Sequence, residues 1–552
     1  MRRRLTAGSV VTATGLAFLA TVPSPASAAP TTAADYTVVA ADGVSATDAA
    51  AAIKAAGGTI VSSNDAVGVY RVSSTDSTFE SKAVASAALI GASERKAIGH
   101  APNGIEKVEK GLTARSGGKG QHGPAAADPL DDKLWGLSMI RADKARRIEA
   151  GNRGVTVGVL DTGLDASNPD LAPNFSAKLS RNFAPDMTDI DGACEVASCL
   201  DPVGTDDDGH GTHVAGTIGA AANGVGVSGI APKVTLVELK GGQDSGYFFL
   251  DPVVNALTYA ADAGIDVVNM SFYVDPWLYN CTANPADSAE DQAEQKAIIT
   301  AMRRALVYAH KRGVTLFGAL GNNHEDLGKP RTDTSSPDYG GTPYPRQIDN
   351  NSCWDLPAEG PHVIGVSSVG PSGRKSDFSN YGTEQISVAA PGGWFRDGFG
   401  TDTYRTAGNQ ILSSYPVKKL KEDGLVDAAG NITPDGVGTV FKDCTKAGVC
   451  GYYTYLQGTS MASPHAAGVG ALIVSRYGVP DLRRGGKTML PDLVEWRLYQ
   501  TAAEHACPEP RLQSYAQEGR PAEFDAYCAG DKHFNGFYGY GIVDAYAAVG
   551  GH

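Results

Sequence analysis

The sequence predicts an α/β fold with a central, mostly parallel sheet over residues 128–552, preceded by a small α+β module. Two observations carry the main prediction. The first is a series of short apolar runs: Val155–Leu160, Val234–Leu239, Val267–Met270, Val314–Phe317 and Val363–Val366. Such runs suit strands covered on both faces, which need no polar alternation. The second is that helical stretches, Asp251–Ala263 and Ala293–Lys311 among them, lie between several of the runs. Strand alternating with helix sets successive strands parallel, because the crossover helix carries the chain back to the same end of the sheet. The stretches 241–250, 274–292, 323–360 and 393–450 break this rhythm and read as surface insertions.

In chain order, Arg2, Arg3 and Arg4 open a secretory signal over residues 1–28. An apolar run, Val10–Val22, and a small-x-small cleavage site, Ala26-Ser27-Ala28, complete it. The run is too short for a membrane span and no second apolar stretch of about 20 residues follows. The expectation is therefore export, with no membrane attachment once the signal is removed. Residues 29–97 form the small module. Tyr36–Val39 is β-branched and strand-like, Ser45–Ala56 is Ala-rich and helical, and Gly57-Gly58 stops it. Thr59–Val61 and Val67–Tyr70 read as strands and Phe79–Ile90 as a second helix. That order fits a split βαβ unit. Residues 98–127, with Gly117-Gly118-Lys119-Gly120 and Pro124, read as an exposed linker holding a maturation site.

Charge and cysteine usage bound the function. The 552 residues carry 47 basic against 61 acidic side chains, a net charge of −14, which argues against nucleic acid as a partner. The charge is uneven: residues 1–127 hold 12 basic and 9 acidic groups, and the remainder 35 and 52. All eight cysteines lie beyond residue 190, which agrees with an oxidising compartment. No C-x-x-C pair favours a metal, and proximity suggests the pairs 194–199, 281–353, 444–450 and 507–528.

Three segments carry chemistry. Asp161 ends the first apolar run, at the strand edge where parallel sheets bear their sites. His210 sits in the run Gly209–Thr217, whose small residues let a helix pack closely. Ser460 lies in Gly458-Thr459-Ser460-Met461-Ala462-Ser463-Pro464-His465, with Pro464 fitting the first turn of a helix. A serine at a helix start gains from the positive end of the dipole when an oxyanion develops. Three other readings are weaker. Asp244-Ser245-Gly246 as the partner of an aspartic dyad lacks strand context. His210 and His213 as metal ligands lack an H-E-x-x-H pattern. Gly458-x-Ser460-x-Ala462 as a nucleophile elbow leaves the blocks around Asp161 and His210 unexplained.

Together with Gly318-Ala319-Leu320-Gly321-Asn322, these segments resemble the signature blocks of subtilisin-like serine endopeptidases. The likeness runs from about Leu134 to Val549, ending in Tyr538–Asp544, and leaves the four insertions uncovered. Residues 35–97 resemble, more weakly, that family's inhibitory propeptide. The resemblance implies a subtilisin-like three-layer fold and a secreted endopeptidase made as a self-processed zymogen. Ser460 would be the nucleophile, His210 the base and Asp161 its orienting carboxylate. Asn322 and the Ser460 N–H would bind the oxyanion.

It further implies structural calcium, held by the side chains of Asp170 and Asn223 and the carbonyls of Ala221, Val225 and Val227. The family's N-terminal ligand has no evident match. Expected partners are protein or peptide substrates and the chain's own propeptide as an intramolecular inhibitor. The chain departs from the family pattern after Val268–Ser271, where Phe272-Tyr273-Val274-Asp275 replaces a small, Gly-rich continuation. The run Asp206-Asp207-Asp208 reads either as a selector of basic residues near the cut or as a solvated patch. The second functional class is a catalytically silent homologue acting as a binding protein, disfavoured because all four chemical positions are intact.

Overall fold

The computed structural model describes residues 33–95, 128–338, 343–482 and 485–551. The signal over 1–28 and the linker with its maturation site over 98–127 lie outside the described residues.

The N-terminal module is a four-stranded antiparallel sheet built from β1 (Ala34–Ala40), β2 (Thr59–Asn64), β3 (Val69–Ser74) and β4 (Leu89–Glu94), in the order β2-β3-β1-β4. Its helices are α1 (Ala46–Ala55), capped by the Ser45 side chain on Asp48 N–H, and α2 (Phe79–Val84). The second helix is shorter than the expected Phe79–Ile90. Leu89–Glu94 instead pairs antiparallel with β1, adding an edge strand to the sheet. Val38, Ile53, Val72, Phe79 and Ala92 give the module a core of its own.

The large domain is organised on a seven-stranded sheet. Its strands are β5 (Thr156–Asp161), β6 (Arg181–Asn182), β7 (Thr235–Lys240), β8 (Val267–Met270), β9 (Thr315–Ala319), β10 (Val363–Val369) and β11 (Val388–Pro391). The order is β11-β10-β9-β8-β5-β7-β6 and every pairing is parallel. All five expected runs are strands. Of the two edge strands, β6 has only two residues and β11 reads Val-Ala-Ala-Pro, so neither announces itself as a β-branched apolar run. The chain leaves β5 toward β7 on one side and β8 on the other. The carboxyl end of β5 is thus a topological switch point, where open parallel sheets place their sites.

Four helices position the chemistry: α3 (His210–Gly219), α4 (Leu250–Ala263), α5 (Ala289–Lys311) and α6 (Thr459–Tyr477). Helix α5 starts earlier than its apolar pattern, because Ser288 and Asp291 form a reciprocal capping box. The sheet separates two apolar cores. One gathers α3, α6 and one sheet face (Val214, Ile218, Phe317, Val469); the other gathers α4, α5 and the opposite face (Leu160, Val237, Val254, Ile298). This is helix, sheet, helix: a three-layer α/β fold.

Val39, Val67 and Val69 of the N-terminal module join the α4–α5 core. Asn64 Nδ2 donates to Asn255 Oδ1 at 2.9 Å and to Thr258 Oγ1 at 2.7 Å, and Ser93 Oγ donates to Glu294 Oε1 at 2.8 Å. The module therefore lies across the outer face of α4 and α5. The insertions are braced. Cys281–Cys353 joins two of them, and part of 393–450 forms a three-stranded antiparallel sheet with Cys450–Leu456. All four expected disulfides are formed, the others being Cys194–Cys199, Cys444–Cys450 and Cys507–Cys528.

Candidate active site

Asp161 is the last residue of β5 and is fully buried. The turn that follows must let α3 approach, and glycine makes this feasible. A Cβ on Gly211 would lie 2.1 Å from the Gly163 carbonyl oxygen, so no other residue fits there. The close approach brings His210, the first residue of α3, against the strand end. Its Nδ1 lies 2.7 Å from Asp161 Oδ1. That oxygen also accepts the Thr162 N–H at 2.9 Å. Burial holds the Asp161 carboxyl above its usual range, against the opposing pull of the adjacent His210 and the Thr162 N–H. A histidine whose Nδ1 faces a carboxylate keeps its proton on that nitrogen, which makes Nε2 the basic nitrogen.

Ser460 is the second residue of α6, so its N–H has no acceptor within the helix. Pro464 lies six residues in rather than in the first turn. Having no N–H, it cannot bond the Ser460 carbonyl four residues back. That freed carbonyl accepts from Ser271 Oγ at 3.1 Å, and Ser460 Oγ donates to the Ser271 carbonyl at 3.2 Å. Ser271 directly follows β8, whose Met270 pairs with Leu160 of β5. The structure thus brings Ser460 to the strand next to the one that ends at Asp161.

Asn322 follows β9, the next strand across. Its Oδ1 accepts from Thr459 N–H at 2.8 Å and Thr459 Oγ1 at 2.9 Å. With the oxygen held toward Thr459, the amide nitrogen is turned away from it. Asp161, His210, Ser460 and Asn322 therefore assemble at the carboxyl ends of three adjacent strands. His213 and His465 do not join them. His213 Nε2 faces the Ile411 carbonyl at 3.0 Å, and His465 Nδ1 faces Met461 O at 2.8 Å with burial pushing its pKa down to about 4. Asp244 forms no dyad with Asp161; it pairs with Lys240 Nζ at 2.6 Å.

The acidic run before His210 is neither free for substrate nor solvated throughout. Asp206 is buried and accepts from Thr162 Oγ1 at 3.0 Å, Gly209 N–H at 2.9 Å, Thr212 N–H at 2.8 Å and Thr212 Oγ1 at 2.5 Å. It straps the Asp161 turn to the start of α3. Asp207 pairs with Lys418 Nζ at 2.7 Å, and Asp208 Oδ1 accepts the His210 N–H at 3.1 Å. Sequence reasoning missed the strap; the signal available was an acid four residues before the helix, where its charge complements the dipole.

The expected calcium ligands lie together beside the loop 221–227. Asp170 is fully buried; one carboxylate oxygen accepts Val227 N–H at 2.9 Å and the other has no hydrogen-bond partner among the described residues. Burial pushes its pKa up to about 8. Asn223 Oδ1 accepts Val225 N–H at 3.0 Å while its Nδ2 donates to Pro169 O at 3.0 Å. A residue the sequence did not offer joins them. Asp128 is buried, accepts the Gly224 N–H, and keeps its second oxygen without a partner. Two buried carboxylates, each with an unengaged oxygen and each with its pKa raised first by burial, with Asp128 adding to the rise at Asp170, fit a hard divalent cation such as calcium.

Comparison with known proteins bears on the family and the fold. The family model described as the Subtilase family matches residues 152–541. Subtilisin DY of Bacillus licheniformis is 28% identical over 343 residues, covering 62% of this chain and 85% of its own. Thermitase of Thermoactinomyces vulgaris is 26% identical over 351 residues, covering 63% and 85%. The crystal structure of the epidermin leader peptide processing serine protease from Staphylococcus aureus superposes with a TM-score of 0.61. It is 20% identical and covers 94% of this chain and 98% of its own, which is a likeness of fold.

Proposed function

The chain belongs to the subtilase family of serine peptidases, and from that premise we propose that it is a secreted endopeptidase working through Ser460, His210 and Asp161. One contact carries the reading: the 2.7 Å pair between His210 Nδ1 and buried Asp161, at the strand end beside Ser460. A serine hydroxyl is a poor nucleophile at neutral pH. As Ser460 Oγ attacks the scissile carbonyl, His210 Nε2 takes its proton and then passes it to the leaving amine. Asp161 holds the ring tautomer and stabilises the imidazolium. The developing oxyanion is bound by the Asn322 amide and the Ser460 N–H, at a helix start whose dipole favours it. Water then hydrolyses the acyl-enzyme, with His210 again as base.

Residues 29–97 are proposed as a propeptide that occupies the enzyme until the linker over 98–127 is cut by the enzyme itself. The docking of residues 34–94 on α4 and α5 supports this. A removed signal over 1–28 would deliver the chain outside the cell, which its disulfides suit. Calcium would be held by Asp170, Asn223 and the carbonyls of Ala221, Val225 and Val227, with Asp128 as a further carboxylate. Bound there, the ion would fix the loop 221–227 and the first residues of the mature domain.

The test is expression of the full chain beside Ser460→Ala. The parent is expected to cleave unstructured protein and to accumulate without residues 29–97. The variant should do neither. Processing of purified Ser460→Ala at the parent's rate would refute self-cleavage, and protein cleavage by that variant would refute the nucleophile.

A further inference from the structure

We infer that Asn380 is a positioning residue for the oxyanion side of the reaction: it clamps the loop that carries Asn322. The inference rests on the reading of Asn322 as an oxyanion donor.

The loop after β9 cannot satisfy its own backbone. Gly321 has φ +99° and His324 φ +54°, both left-handed. A chain that turns left-handed twice within four residues breaks the regular ladder, so its polar groups need outside partners. Asn380 supplies four of them. Its backbone N–H donates to Gly321 O at 2.9 Å, and its Nδ2 donates to Leu320 O at 3.1 Å. Its Oδ1 accepts both the Asn323 N–H and the Glu325 N–H, each at 3.0 Å. These contacts bracket Asn322 on both sides in sequence.

The residue type follows from this geometry. The backbone N–H meets the Gly321 carbonyl whatever the side chain; the side chain must give a donor to the Leu320 carbonyl and one acceptor to two N–H groups, and the primary amide is a short side chain that carries both functions. Aspartate would set an oxygen against the Leu320 carbonyl; serine is too short to span the loop. The amide lies tight against the loop: a Cβ on Gly321 would lie 2.4 Å from Asn380 Nδ2, so position 321 has no room for a side chain. Asn380 is itself fully buried. Its neighbours continue the seam, with His324 N–H donating to Phe378 O at 2.8 Å and Tyr381 N–H to Glu325 O at 2.9 Å.

Asn322 is therefore located by two independent devices. Thr459 sets the rotation of its amide, and Asn380 sets the position of its backbone. Misplacing an oxyanion donor by about 1 Å is enough to cost on the order of 10²-fold in rate. Substrate binding along the cleft edge involves other residues and should be little affected.

The experiment is a double-mutant cycle on the mature enzyme with a fluorogenic peptide. Asn380→Ala is expected to lower kcat by about 10- to 100-fold with KM within about threefold. In an Asn322→Ala background it should lower kcat by less than about threefold, because its effect runs through Asn322. Asn380→Asp, nearly isosteric, keeps the acceptor but sets an oxygen against the Leu320 carbonyl, so it too should lower kcat with KM within about threefold; it serves if the alanine variant does not fold. Equal loss of kcat in both backgrounds, or a loss confined to KM, would overturn the clamp. An unchanged kcat in Asn322→Ala alone would instead overturn the reading of Asn322 as the oxyanion donor.

Discussion

Two buried carboxylates on opposite sides of α3 are treated in opposite ways. Asp206, before the helix, meets four donors and both its oxygens are engaged. Asp170, near the helix's far end, meets one N–H from Val227 and keeps an oxygen without a hydrogen bond. Both sit in low dielectric, where an unpaired charge is costly. The difference teaches what each is for. A carboxylate saturated by its own chain is a strap; one left short of donors, beside a second carboxylate in the same condition, is what the proposed cation site would use.

The largest effect should come from cutting the strap. Asp206→Ala strands the Thr162 hydroxyl, the Gly209 N–H and both donors of Thr212, each about 1–3 kcal/mol to leave unmet in a buried place. Unfolding by denaturant should show a loss of several kcal/mol, and kcat should fall because the Asp161 turn and His210 are no longer tied. Added calcium should restore neither. Full rescue by calcium would erase the distinction between the two corners.

A smaller effect is expected at the other corner. Chelation of the mature enzyme should lower its stability by about 3 kcal/mol relative to calcium at 100-fold above Kd, with little change in kcat. Asp170→Asn should abolish that response. A melting temperature that ignores chelator in the parent would remove the cation from the account.

The sharpest test is pH. The Asp170 pKa is pushed up to about 8, so without a cation the folded chain holds a proton that the unfolded chain releases near pH 4. The unfolded state binds fewer protons across that window, so stability should decline as pH rises from about 4 to 8. Calcium, which takes the ionised carboxylate, should flatten the decline, and Asp170→Asn should lack it. A contribution that instead grew with pH in chelator would contradict the burial argument.

What the sequence disclosed about these corners follows the range of each interaction. Asp161, His210 and Ser460 were legible because each sits in a local pattern: a strand end, a run of small residues, a helix start. The disulfides were legible because three of the four pairs close loops of fewer than 25 residues. Asp128 was not, because its donor at Gly224 lies 96 positions away and nothing local marks it. Asn380 was not, since a lone asparagine carries no periodicity. Asp206 was visible only as one of three acids, and its separate role depends on donors from two turns that meet in space. The first two residues of β4 were taken into the preceding helix and the rest of the strand was missed, because its partner is β1, some 50 residues earlier.

The central claim is that the Ser460 alcohol is made reactive by His210 under the hold of Asp161. Labelling with a fluorophosphonate, followed by mass mapping of the adduct, tests it most directly. The account predicts one adduct per molecule, on the peptide containing Ser460, with the rate falling by at least about 10³-fold in His210→Ala. An adduct elsewhere, or labelling of His210→Ala at the parent's rate, would contradict it.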